Sequence, residues 1–228
     1  MLQPFRAPSQ HRQEAGRELA HRLVAYKGQP KVLVLSVSRG GVPVAAGIAD
    51  VLEAPLDVFF IRSVKVPGYE AISMGTVARG VHLPDKDVIE HAGISLQAFF
   101  AASSAEQEQL DRHEVFLRSG RPAQAIVGRT IILVDNGLTA ESDLPAAIEA
   151  LHRHGATKVV VAVPVTTLEA RDKLSKQVDE FVSLHAIDAA SHLDVWYEGA
   201  TGVDEENVRV ALGQAASRVA MYQHREVT

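Results

Sequence analysis

The stretch Val32-Leu33-Val34-Leu35-Ser36-Val37-Ser38-Arg39-Gly40-Gly41-Val42-Pro43 decides the fold. The run Val32–Val37 is rich in β-branched residues and continuous rather than alternating in polarity, as in a strand buried on both faces of a mostly parallel sheet. A glycine pair then delivers the chain to a segment with helical spacing, Pro43–Leu52. Four further runs share the first one's character: Val58–Ile61, Ile131–Val134, Val159–Val165 and Phe181–Leu184. Helical spacing returns in Pro145–His154 and Leu168–Lys176. Strand alternating with helix predicts an α/β open sheet with right-handed crossovers.

The interval from Arg62 to Arg129 breaks this rhythm. It holds a Pro/Gly-containing loop, a hairpin around Met74–Leu83 and a long helix from about Ser95 to Leu117. In that helix Leu96, Phe99, Phe100, Leu110 and Leu117 fall near one face, which reads as packing. Glu106, Glu108, Asp111, Arg112 and Glu114 mostly occupy the other, which reads as solvated. The stretch from Asp188 to Gly202 is irregular, and Asp204–Tyr222 reads as a closing helix with Asp204, Glu205 and Glu206 at its positive end. No repeat or linker is apparent. The expectation is one domain over 1–228, elaborated at about 62–129, with a C-terminal hood and helix at about 188–222.

Of the 228 residues, 46% are hydrophobic and 22% charged, which excludes a chain disordered throughout. Lys+Arg 23 against Asp+Glu 28 leaves a net charge of −5, so no global cationic field gathers nucleic acid or anionic lipid, and any anion site must be local. Cysteine is absent, which removes disulfides, thiolate nucleophiles and cysteine-bound zinc. Met1–Arg6 lacks the apolar core of a secretion signal, and the longest apolar runs are strand-sized. The expectation is a soluble cytoplasmic protein with neither nucleic acid nor membrane as partner.

Two loops follow strands and precede helices, where open α/β sheets bind ligands. In Ser38-Arg39-Gly40-Gly41-Val42-Pro43, glycines let backbone N–H groups converge, the helix adds partial positive charge and Arg39 adds a donor for phosphate-like oxygens. The same residues also read as a tight turn with Pro43 opening the helix. In Asp135-Asn136-Gly137-Leu138-Thr139-Ala140-Glu141-Ser142-Asp143, two oxygen-bearing side chains at a strand's end suit a sugar diol, or form an Asx turn before a helix cap. Neither His82, Asp85 and Asp87 nor the ten histidines of the chain make a strong metal or triad pattern. No metal site is assigned; a polar turn at Pro84 accounts for the first group. His11, His21, His113, His152, His154 and His224 fall on helix surfaces. Trp196 and Tyr197 suit stacking on a base, or a wall of the core.

Taken together, the chain resembles the type I phosphoribosyltransferase family, particularly its bacterial, substrate-unassigned branch. Five collinear stretches over roughly residues 10 to 212 carry the resemblance. They are Ser38–Ala46, Pro67–Glu70 running into Met74–Ala78, Gly128–Gly137, Val159–Val165, and Trp196-Tyr197 followed by Asp204-Glu205-Glu206. The resemblance implies a Rossmann-like, mostly parallel five-stranded sheet flanked by helices, with a small hood. It also implies transfer of ribose 5-phosphate from phosphoribosyl pyrophosphate to an unidentified nitrogen acceptor, with Mg²⁺ escorting the pyrophosphate. Carried over residue by residue, Ser38, Arg39, Gly40 and Gly41 match the pyrophosphate loop, and Asp135 and Asn136 the acidic pair on the ribose hydroxyls. Thr139, Ala140, Glu141, Ser142 and Asp143 match the 5-phosphate loop, and Arg62–Ser73, with Arg62 and Lys65, the mobile segment. Relatives with this fold often form dimers, so a homodimer is the assembly it suggests.

Three residues depart from the family's pattern. Asn136 replaces an acid and loses a charge. Glu141 replaces a glycine, adding a Cβ and a negative charge where amides approach phosphate, and Asp143 replaces a hydroxyl donor with an acceptor placed to cap its own helix. Two unit charges about 5 Å apart interact by roughly 1 kcal/mol in water and about 3 kcal/mol at an effective dielectric near 20. The alternative function is therefore a non-catalytic phosphoribosyltransferase-fold binding or regulatory protein.

Overall fold

A computed structural model describes residues 9–138, 144–188 and 202–225. The central sheet has five parallel strands, β1 (Val32–Ser36), β2 (Leu56–Val58), β6 (Thr130–Val134), β7 (Lys158–Thr167) and β8 (Glu180–Ile187), in the order β2-β1-β6-β7-β8. A second, antiparallel sheet orders β3 (Arg62–Val66), β4 (Tyr69–Ala78) and β5 (Val81–Pro84). The α/β class, the parallel sheet and the small insert agree with the sequence reading.

Burial on both faces explains the apolar runs. β1 is buried at every residue, and Val34 and Leu35 face separate cores. On one side pack α1 (Ser9–Arg22), α2 (Val42–Leu52) and α7 (Glu205–Arg225); on the other packs α5 (Leu144–Arg153) with α6 (Leu168–Leu174). Pro164 faces β8, and the β7–β8 register passes from Val163↔Ser183 to Val165↔His185 with no pair at the proline, which has no N–H to give.

Several expectations need correction. The second strand is Leu56–Val58 rather than Val58–Ile61. Phe59 N still donates to Ser36 O at 2.8 Å, but Phe60 N donates to Glu114 Oε1 at 2.8 Å, and this side chain takes the chain off the ladder. The segment 62–73 is a hairpin, β3 and the start of β4, with Pro67 and Gly68 at its turn. The helix expected from Ser95 is α4 (Leu96–Leu117), and Ser95 Oγ caps it by accepting from Ala98 N. Leu96 and Phe100 on its apolar stripe are exposed, whereas Phe99, Leu110 and Leu117 are buried. The helix expected around His11 and His21 is α1, whereas α3 (Lys86–His91) was not anticipated.

Glu114 is not solvated. It is 3% exposed, beside Asp57, Arg79 and Arg118, in a cluster of two anions and two cations. Arg118 Nε donates to Asp57 Oδ1 and Nη2 to Glu114 Oε2, each at 2.7 Å. Desolvation works against the charge on Arg118, but Glu114 and Asp57 outweigh it and raise its pKa. The cluster ties the end of α4 to β2. A buried charge group with this many partners gives geometric definition more than net stability.

Candidate functional site

β1 and β6 are neighbours, yet from β1 the chain first moves outward to β2 and only later returns on the other side through β6. Strand order therefore reverses between them, and their carboxyl ends border the crevice where such sheets place ligands. The two loops singled out in the sequence leave β1 and β6 at this point.

The structure joins them. Ser38 Oγ donates to Asp135 Oδ1 at 2.6 Å and accepts from Gly41 N at 3.0 Å, and Asn136 N donates to the same Asp135 oxygen at 2.8 Å. Val37 N donates to Val134 O at 3.1 Å, continuing the β1–β6 contact beyond the strands. The glycines serve this close approach. A Cβ on Gly41 would stand 2.7 Å from Ser36 Oγ and 3.1 Å from Asp135 Cα, and one on Gly40 would stand 3.1 Å from the Asn136 amide.

Within the first loop, Gly41 N also donates to Ser38 O, and Val42 N donates to Arg39 O, each at 3.2 Å. These two groups close the turn, as the tight-turn reading of this stretch expects. Pro43 lies in the first turn of α2, and Arg39 is exposed. Burial pushes the Asp135 carboxyl above the ordinary carboxylate range, and the bonds from Ser38 and Asn136 N pull it back part of the way. The pair thus offers a desolvated acid with a neutral amide beside it.

Leu138 anchors the far side of the second loop: its N–H donates to Val165 O and its carbonyl accepts from Thr167 N, both at 3.1 Å. Thr139, Ala140, Glu141, Ser142 and Asp143 lie outside the described residues, as do Trp196 and Tyr197. The chain is described again from Leu144. A groove of about 870 Å³ runs between β4–β5 and α5, with Pro145 and Ala146 of the first turn of α5 on its wall. The small sheet therefore flanks the helix that follows the second loop.

Arg62 and Lys65 lie on β3 of the small sheet. Arg62 Nε stands 2.8 Å from Glu106 Oε2 on α4, which engages its charge. Lys65 is exposed, at a register irregularity in the hairpin. His82 Nδ1 lies 2.8 Å from Ser103 Oγ, and Asp85 caps α3 by accepting from Val88 N. His113 and His154 are partly buried: the first contacts Glu205 at 2.9 Å and the second Arg79 O at 2.8 Å. Sequence reasoning missed the Asp57–Arg118–Glu114–Arg79 cluster. The i,i+4 spacing of Glu114 and Arg118 was its only local signal.

Comparison with known proteins is consistent with this geometry. The sequence profile of the phosphoribosyl transferase domain matches residues 8–198. The chain is 35% identical over 174 residues to "Putative phosphoribosyl transferase Rv0571c" of Mycobacterium tuberculosis, covering 76% of this chain and 39% of that protein. It therefore spans well under half the length of this relative. Among solved structures, TT1426 from Thermus thermophilus superposes with a TM-score of 0.74 at 29% identity, covering 89% of this chain and 96% of that one.

Proposed function

Since the chain belongs to the phosphoribosyl transferase domain family, we propose that it transfers ribose 5-phosphate from phosphoribosyl pyrophosphate to a nitrogen acceptor at the β1–β6 crevice. The observation that carries this reading is the junction of the two loops through Ser38 Oγ and Asp135 Oδ1 where strand order reverses.

In the reaction the bond from the ribose anomeric carbon to pyrophosphate breaks, and its electron pair leaves with pyrophosphate. The acceptor nitrogen forms the new bond with its lone pair and gives up a proton. Positive charge develops on the sugar between these events, so positioning and electrostatics matter more than a protein nucleophile. Asp135 and Asn136 grip the ribose hydroxyls, and the Asp135 carboxylate faces the developing charge. The exposed Arg39 side chain and the Arg39 and Gly40 amides receive pyrophosphate oxygens, while Gly41 N holds the turn against Ser38.

Mg²⁺ fits this donor set. Among the described residues no three His, Asp or Glu side chains gather as a metal cluster, but one carboxylate joined by phosphate oxygens is a set that suits this ion. Asp135 would hold it, and the bound ion supplies charge to balance pyrophosphate.

Calorimetry with phosphoribosyl pyrophosphate and Mg²⁺ tests the proposal, with saturable binding expected and its loss in Ser38→Ala. A folded chain that shows no binding at millimolar ligand overturns it. If Glu141→Gly with Asp143→Thr then gains phosphate affinity, by about fivefold for each roughly 1 kcal/mol of repulsion removed, the non-catalytic reading takes its place.

A further inference from the structure

At the opposite end of the central sheet, the segments entering β1, β2 and β6 enclose a cavity of about 350 Å³ with the second half of α7. Its wall differs from the apolar cores nearby. Arg118, Arg121 and Arg129 line it, against one carboxylate, Asp57. Asp57 is already engaged, by Arg118 at 2.7 Å on one oxygen and by Gln124 N at 2.8 Å on the other. Arg118 is held in turn by Glu114.

Arg121 and Arg129 have no such arrangement. Arg121 Nη2 and Arg129 Nη1 are buried without a hydrogen-bond partner among the described residues. A buried donor left unmade is costly, and more so when it is charged. Both side chains line the same cavity, which makes an acceptor group with several oxygens the kind of ligand that would engage them. The guanidinium fork suits phosphate oxygens in particular. Leu212, Ala215, Ala216 and Val219 of α7 add apolar surface to the lining. With cationic and apolar groups in one lining, the cavity matches a ligand with an anionic head and a less polar body. Its volume sits at the small end of the usual ligand range of about 300–1,000 Å³.

We propose that this cavity is a second anion site, which takes the phosphoryl group of a small phosphomonoester of mononucleotide size at the pole away from the Ser38 and Asp135 loops. None of its residues belongs to those loops, so the proposal stands or falls separately from the transferase reading.

Inorganic phosphate and AMP are titrated calorimetrically into the full chain, an Arg39→Ala chain and an Arg121→Met/Arg129→Met chain. Arg39→Ala removes the exposed cation at the carboxyl pole, so binding that survives it reports the amino pole. The expected result is saturable binding that persists in Arg39→Ala, is tighter for AMP than for phosphate, and is weakened roughly tenfold or more in the double Met chain. Undiminished binding in the double Met chain, or none in Arg39→Ala at millimolar AMP, overturns the site. AMP binding no tighter than phosphate overturns the assigned ligand class. Arg129→Lys, which keeps the charge and loses the fork, serves if the double variant fails to fold. AMP affinity then falls while the thermal midpoint in phosphate-free buffer holds, and unchanged affinity again overturns the proposal.

Discussion

At the scale of single residues, Asp135 carries the most consequential chemistry. Its carboxyl is raised above the ordinary aspartate value of 3.8, chiefly by desolvation, so the folded chain keeps this proton to higher pH than the unfolded chain does. The folded state binds more protons between the two values. Stability therefore falls as pH rises through that window and stays reduced above it. Asp135→Asn keeps an oxygen for Ser38 Oγ and Asn136 N while removing the desolvated charge. It is expected to raise the thermal midpoint at pH 7 by about 2–4 °C for each kcal/mol relieved, with the gain vanishing below pH 3.8 and ligand binding lost. Thermal unfolding across pH checks this, and an unchanged midpoint at pH 7 refutes it. Ser38→Ala acts in the opposite sense on the proton. With its donor gone, the Asp135 pKa rises further, and the fall in thermal midpoint moves to higher pH. The loops were legible as strand-end turns because their Gly-Gly and Asp-Asn dipeptides each follow an apolar run and precede a helix. The bond between Ser38 and Asp135 was not, since it spans 97 positions and depends on β1 and β6 becoming neighbours.

Among the elements, α1 shows what local patterns conceal. Its buried apolar residues Ala15, Leu19 and Ala20 sit in a polar stretch, and its packing on α2 depends on a feature with little hydrophobic signature. Gly16 and Gly47 face the partner backbone: a Cβ on Gly16 would stand 2.1 Å from Val44 O, and one on Gly47 would stand 2.2 Å from Gln13 O. The helices thus cross backbone against backbone, and neither carbonyl can withdraw without shifting its helix. Gly47→Ala is expected to destabilise by about 1–3 kcal/mol despite the better helix propensity of alanine, as read by denaturant midpoint. A stabilised variant would show that the helices separate freely. α4 was legible in extent, because Ser95 supplies a cap and the helix is long. Its polar face misled, because Glu114 meets Phe60 N just beyond β2 and Arg79 in the β4–β5 turn, which no helical periodicity announces.

On the scale of the whole molecule, the parallel sheet has two distinct ends. Its carboxyl edge gathers the sugar and pyrophosphate groups proposed above, and its amino edge gathers arginines under α7. The sheet and its order of elements followed from five apolar runs, since strands buried on both faces must be apolar throughout. The arginine cavity did not, because Pro30, Asp57, Arg121, Arg129 and Leu212 come from five separate parts of the chain. The small sheet is attached unevenly. Its base pairs Arg62↔Val77, Ser63↔Thr76 and Val64↔Gly75 in regular register, and Arg62 is pinned to α4, whereas pairing slips on either side of Lys65 and Tyr69–Ile72 are exposed. It behaves like a drawbridge whose inner planks are bolted down. In deuterium labelling, amides at Glu70–Ile72 should exchange within seconds while those at Val77 and Ala78 stay protected for hours. Any sweep over a captured sugar would then start at the slipped rung, with the fixed planks setting its arc.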